Sequence, residues 1–168
     1  MCELIRPIPI RIVNEAAIHP KLVAAAQREA AYILKSLCVE LEWTAEPVSS
    51  ALELRITAAP IGFEITQHSL GVTFFNNAEG SRGTVFFSRV RAVLQMYGPL
   101  VSPTRLLGCV LAHEIGHLLL GTKVHSPEGI MVANFRRADL LKASQRRLLF
   151  TSGDREIFRS RLRYLLST

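Results

Sequence analysis

Apolar and polar residues alternate with two different periods along this chain, and the switches between them mark its elements. Ile8 to Val13 is a short β-branched run bounded by Pro9 and Asn14, which predicts an opening strand. After His19-Pro20, residues Leu22, Val23, Ala26, Ala30, Ile33, Leu34 and Leu37 recur at spacings of three and four, the signature of an amphipathic helix packed on a sheet. Val39 to Trp43 and Leu52 to Ile56 alternate apolar with charged residues, as strands with one wet face do. Gly71 to Phe75 and Gly83 to Phe87 flank the turn-rich run from Asn76 to Arg82, so they read as a hairpin or as strands joined by a long connection, one of them a candidate sheet edge. Ser102-Pro103 then supplies an N-cap with proline at the first helical position, and Gly121 a C-terminal stop, which predicts one helix from Pro103 to Leu120. That helix is apolar nearly all round and is therefore expected to be buried. Thr151 with Asp154 forms a capping-box pattern, and Phe158, Leu162, Leu165 and Leu166 give the stripe of a final helix. The chain shows no internal repeat and no low-complexity linker.

Composition narrows the class. With 168 residues, 49% hydrophobic and 20% charged, the chain fits one globular domain over 1–168 and is too apolar to be disordered. Cys2, Cys38 and Cys109 are too few and too odd for a disulfide scaffold, lack CxxC spacing, and as thiols weakly favour a reducing compartment. Leu106 to Leu120 is broken by His113, Glu114 and His117, so no membrane span is expected. The first residues hold Glu3 and Arg6 and no apolar signal segment; the chain as given reads as cytoplasmic, or as secreted or periplasmic if a signal peptide has been removed. The net charge of +6 is confined to the C-terminal end: residues 1–134 hold 11 basic and 11 acidic side chains, whereas the last 34 hold nine basic against three acidic. The surplus reads as a solvated face of a terminal helix, and no nucleic-acid partner is expected.

Inside the buried helix lies His113-Glu114-Ile115-Gly116-His117, an HExxH pattern. Four residues turn a helix by about 400°, so both imidazoles project from one face and can share a metal ion, for which zinc is suited. Glu114 stands one position along, within reach of a water on that ion. A shuffle of this composition yields HExxH in roughly 1 of 100 cases, so context has to carry the assignment. In a buried helix, two imidazoles and a carboxylate are costly unless a metal or a hydrogen-bond network satisfies them. Catalytic zinc takes three protein ligands and one open position, and the nearest third candidate is His125, beyond the bend that Gly121 allows. His19 and His68 fall in predicted cap and loop positions and read as surface residues.

The segment HEIGHLLLGTKVHSPEGIM resembles the metzincin zinc peptidases, whose signature is HExxHxxGxxH followed by a turn with a methionine beneath the metal. It is also similar to small bacterial proteins carrying HExGHLLLG and then HSxxGIM. The resemblance implies one zinc ion held by His113, His117 and His125, Glu114 as general base, Gly121 as the bend and Met131 as the Met-turn residue. It implies an α/β (α+β) fold: a twisted, mainly parallel sheet with a backing helix and an active-site helix over 1–121, then the Met-turn and a small helical part over 122–168. It further implies a peptide or protein substrate lying extended beside Gly71 to Phe75 or Gly83 to Phe87, with a side-chain pocket near the Met-turn. The spacing departs from the family: Gly121 and His125 follow at offsets of four and four, where the family has three and three. Glu128 or Glu156 therefore stands as an alternative carboxylate ligand of the gluzincin kind. Val132-Ala133-Asn134-Phe135 follows the methionine, without the tyrosine that some metzincins carry there.

The expected function is zinc-dependent peptide-bond hydrolysis. The alternatives are a non-catalytic module in which zinc locks helix to loop, and a regulatory protease that cuts DNA-bound repressors. The second of these lacks its expected downstream acidic motif and any evident DNA-binding segment.

Overall fold

The computed structural model describes residues 7–46, 51–60, 68–75 and 81–167, with side chains up to residue 161. Five strands, β1 (Ile8–Asn14), β2 (Leu41–Thr44), β3 (Leu52–Thr57), β4 (Gly71–Phe74) and β5 (Arg82–Phe86), form one sheet in the order β2-β1-β3-β5-β4. Every pairing is parallel except β4 with β5, which run antiparallel with Gly71 opposite Val85 and Phe74 opposite Arg82. Of the two candidate edges, β4 is therefore the edge. Gly83 to Phe87 is not: it contributes β5, enclosed between β3 and β4, and its last residue already begins a helix. The predicted turn between the two falls largely on residues 76–80, outside the described residues.

The alternation seen in Leu52 to Ile56 separates the two faces of the sheet. Ile10, Leu54, Ile56 and Val85 are fully buried on the helical side. The opposite side carries an ion-pair ladder across β1, β3 and β5, in which Glu53 meets Arg55 at 2.8 Å, Arg11 at 3.3 Å and Arg82 at 3.7 Å. Such half-exposed pairs contribute little stability each, but they keep the face wet and fix which side is the core.

Five α-helices complete the described fold: α1 (Pro20–Leu34), α2 (Phe87–Tyr97), α3 (Pro103–Leu120), α4 (Arg137–Ser144) and α5 (Ser152–Ser167). His19 caps α1 by accepting a hydrogen bond from the Lys21 amide at 3.2 Å; it and His68 are exposed. The α-helix stops at Leu34, three residues short of the predicted end, and a single 3-10 turn carries the apolar face on to Leu37. Val39 is buried but lies outside β2, which begins at Leu41. The helix α3 is buried from Leu106 to Leu120, and α1 lies along it in the same core as the sheet. The capping box of α5 is present, with Asp154 accepting from the Thr151 amide at 2.8 Å and donating its own amide to the Thr151 hydroxyl at 3.2 Å. Phe158 is buried, while the side chains of Leu162, Leu165 and Leu166 lie outside the described residues.

Two helices were not anticipated. Val90, Val93, Leu94 and Tyr97 of α2 do follow the helical period and pack on the core, but the preceding strand runs into the helix without a turn signal. The eight-residue α4 buries just Leu140 and Ala143, too few positions for a period to emerge. The cysteines also need correcting. Cys38 is disulfide-bonded, so the thiol count gives no argument for a reducing compartment.

Cys109 is a free cysteine at 2% exposure within α3, and burial, with the Glu29 charge adding to it, pushes its thiol up to about 12. Without thiolate or access it is inert. Iodoacetamide at pH 8 should leave Cys109 unmodified in the folded chain and alkylate it in guanidinium, as read by peptide mass mapping; native-state labelling at Cys109 would contradict this packing.

Candidate metal centre

The site is built on α3 and closed by the segment that follows it. Ser102 caps the helix start by accepting from the Arg105 amide at 3.3 Å, and Pro103 occupies the first turn. At the other end Gly121 adopts φ +63°, donates its amide to the His117 carbonyl at 2.8 Å, and turns the chain back. The left-handed torsion is what favours glycine at this bend; a β-carbon there would also displace the flexible end of the Arg161 side chain from α5.

The returning segment then orients the histidines through its own backbone. His113 Nδ1 lies 2.8 Å from the Ile130 carbonyl, and His117 Nδ1 lies 2.7 Å from the Thr122 carbonyl. A carbonyl can only accept, so each ring must donate from Nδ1, which leaves a lone pair on each Nε2 of the neutral imidazoles. Those two Nε2 atoms face one another at 3.0 Å. Two acceptors held that close repel unless a cation or a proton lies between them. Burial, followed by the nearby charge of His117, pushes His113 down to about 3, against the pull of its Ile130 hydrogen bond. His117 is lowered too, by burial first and then by the charges of His125 and Lys123, although the Thr122 carbonyl opposes this. The proton is thus disfavoured at neutral pH and the donor set suits a metal cation, which requires neutral imidazoles.

His125 completes the cluster. Its ring centroid is 4.9 Å from that of His117 and 5.4 Å from that of His113, and the three residues offer nitrogen atoms all within 4.8 Å of one another. This is the one such group of potential ligands among the described residues. Glu128 and Glu156, the carboxylate alternatives, are exposed and stand outside it. The two extra residues in the His117–His125 interval are therefore absorbed by the bend, and they do not carry His125 away from the other two.

Met131 is fully buried beneath α3. A β-carbon on Gly116 would lie 2.6 Å from its Sδ, so the glycine between Ile115 and His117 is what lets the methionine approach the helix. The loop bearing His125 is tied down by Ser126, whose amide donates to the Met131 carbonyl at 2.9 Å and whose hydroxyl donates to Asp154 Oδ1 at 2.5 Å. Asp154 is 2% exposed and caps α5 as well, so one carboxylate couples the last helix to the histidine loop.

Glu114 projects towards the sheet edge. Its carboxylate accepts a hydrogen bond from Thr73 Oγ1 at 2.8 Å, and a β-carbon on Gly71 would come within 2.5 Å of its Oε1. Glycine in β4 thus makes room for the carboxylate and threonine fixes its direction. Burial raises Glu114 to about 8, partly offset by the Thr73 hydrogen bond. His113, Glu114, His117 and His125 all line one cleft of about 170 Å³, bounded by β4 on one side and by Val132 to Phe135 on the other. Thr73, Ser126 and Lys123 were not singled out from sequence as site residues, and Asp154 was read there only as a helix cap. Thr73 meets Glu114 across 41 residues and Ser126 meets Asp154 across 28, separations that no local pattern encodes.

No protein-family model matches the sequence, and no curated protein matches it. Among solved structures the chain is similar to one in the structure described as "GM1 bound form of the ECX AB5 holotoxin", with 15% identity and a TM-score of 0.44 over 89% of this chain and 77% of that one. A likeness that distant carries no argument about function.

The Ser126–Asp154 bond makes the position of His125 dependent on α5. Ser126→Ala should weaken zinc affinity about tenfold in a chelator competition while leaving the far-ultraviolet circular dichroism unchanged. Unaltered affinity would show that the loop holds His125 without this bond.

Proposed function

We propose that the chain is a zinc metallopeptidase of metzincin-like type, with His113, His117 and His125 as metal ligands and Glu114 as general base. The observation that carries the reading is the pair of Nε2 lone pairs converging with His125 in an open cleft beside a buried carboxylate. Zinc bound there supplies Lewis acidity, which polarises a peptide carbonyl and acidifies water. Glu114 takes the proton of the attacking water as its hydroxyl adds to the carbonyl carbon, then gives that proton to the nitrogen as the C–N bond breaks. Thr73 holds the carboxylate during both transfers, and a nearby cation favours its ionised form over the neutral one that burial alone selects.

The substrate path follows from the sheet edge. The Phe86 amide donates to the Leu70 carbonyl at 2.8 Å, so Leu70, Val72 and Phe74 bond towards β5, and the alternation of an antiparallel ladder leaves the main-chain groups of Gly71 and Thr73 facing outward. An extended peptide pairing with them passes directly over Glu114. An open coordination position distinguishes this reading from a zinc-locked binding module. A hydroxamate should raise the Tm of the zinc-loaded protein, whereas a closed site predicts no shift.

Glu114→Gln should retain zinc and lose at least about a hundredfold in kcat for any peptide that the wild type cuts. Thr73→Val, which keeps volume but removes the hydroxyl, should lower kcat about tenfold with little change in KM, and Thr73→Ser should restore it. Undiminished hydrolysis by Glu114→Gln would refute the assignment of the base.

A further inference from the structure

Two charged side chains line the cleft, and they differ in kind. Glu114 is 3% exposed and its carboxylate is engaged by Thr73. Lys123 is exposed, and among the described residues it forms no ion pair. Its Nζ instead lies 5.8 Å from the ring centroid of Phe74, which holds the ammonium over the far end of β4 by cation–π attraction. It lines the same cleft as β4 and the histidine cluster. Across the cleft, the lining segment that ends at Phe135 continues into Arg136 and Arg137, both exposed. The acidic residue beside them, Asp139, accepts from the Arg136 amide at 3.0 Å to cap α4. Among the described residues that line the cleft, the solvent-facing charge is therefore that of Lys123, and Arg136 and Arg137 stand just beyond the lining at Phe135.

We propose that the cleft selects peptides with an acidic side chain about one to three residues from the scissile bond, with Lys123 as the specificity-determining cation. This inference rests on the peptidase reading above. The distance follows from strand geometry: Gly71 packs on Glu114, and Phe74, where Lys123 sits, is three residues further along β4, about 10 Å at the usual rise. A peptide extended along the outer edge brings a side chain that close to Nζ within those positions. Arg136 and Arg137 add a longer-range field that draws acidic segments to the cleft and weakens with salt.

The test uses zinc-loaded protein and peptides that differ by Glu, Gln or Lys at each of the three positions on either side of one cleavage site. Binding of the same uncleaved peptides to the Glu114→Ala chain is measured by calorimetry. At the responsive position kcat/KM should run Glu above Gln by about three- to fivefold and Lys lowest, with binding in the same order. Lys123→Gln should remove the Glu-over-Gln ratio and Lys123→Glu should invert it. Reading a ratio keeps the test sensitive even where a variant changes zinc content. Hydrolysis or binding with no Glu preference, or a preference that survives Lys123→Gln, overturns the inference and leaves the peptidase reading standing. Selective, Lys123-dependent binding without hydrolysis overturns the peptidase reading alone. Neither binding nor hydrolysis of any peptide overturns both.

Discussion

Two backbone carbonyls, those of Ile130 and Thr122, decide what the histidines of this protein can do. By accepting from Nδ1 of His113 and His117, they fix each ring's tautomer and leave two Nε2 lone pairs facing each other at 3.0 Å. Both carbonyls belong to the segment after α3, so the histidine cluster is assembled only when that segment has folded back under the helix. The features that bring it back are the left-handed Gly121, the buried Met131 against Gly116, and the Ser126 hydroxyl on Asp154. A site assembled in this way is preorganised, because its ligands are held by partners that a metal does not displace.

The same helix carries the cost of that arrangement. His113, Glu114 and His117 sit among Leu111, Ala112, Ile115 and Leu118, and burial pushes the histidines towards neutrality and the glutamate towards its protonated form. A bound cation reverses the electrostatics of the glutamate without requiring the imidazoles to change state. In the proposed metal-bound form, cation and carboxylate would stabilise each other, and a buried polar triad that is otherwise costly would become consistent with the apolar core around it.

Much of this was legible in the sequence because the responsible signals are local. The cap at Ser102, the stop at Gly121 and the four-residue interval between His113 and His117 together placed both imidazoles on one face of one buried helix. The alternation in Leu52 to Ile56 likewise anticipated a sheet with a charged face. What sequence could not show was long-range. It left two strands as candidate edges, because the choice depends on which of them β3 pairs with. It could not place Thr73 beside Glu114 or Asp154 beneath Ser126, since those partners are set by the packing of separate elements. It left His125 in competition with Glu128 and Glu156, since a bend and its loop determine which side chain returns to the helix. The short α4 and the turnless entry into α2 escaped for a different reason: each has its apolar signal shortened or merged with that of a neighbour.

The central claim is that three histidines, the third of them His125, hold one metal ion. Its most direct test is the zinc content per chain after reconstitution and desalting, measured by elemental analysis for the wild type beside His125→Ala. The account predicts about one zinc per wild-type chain and a sharp reduction in the variant. A wild type that takes up no zinc, or a variant that holds it as tightly as the wild type, would contradict it.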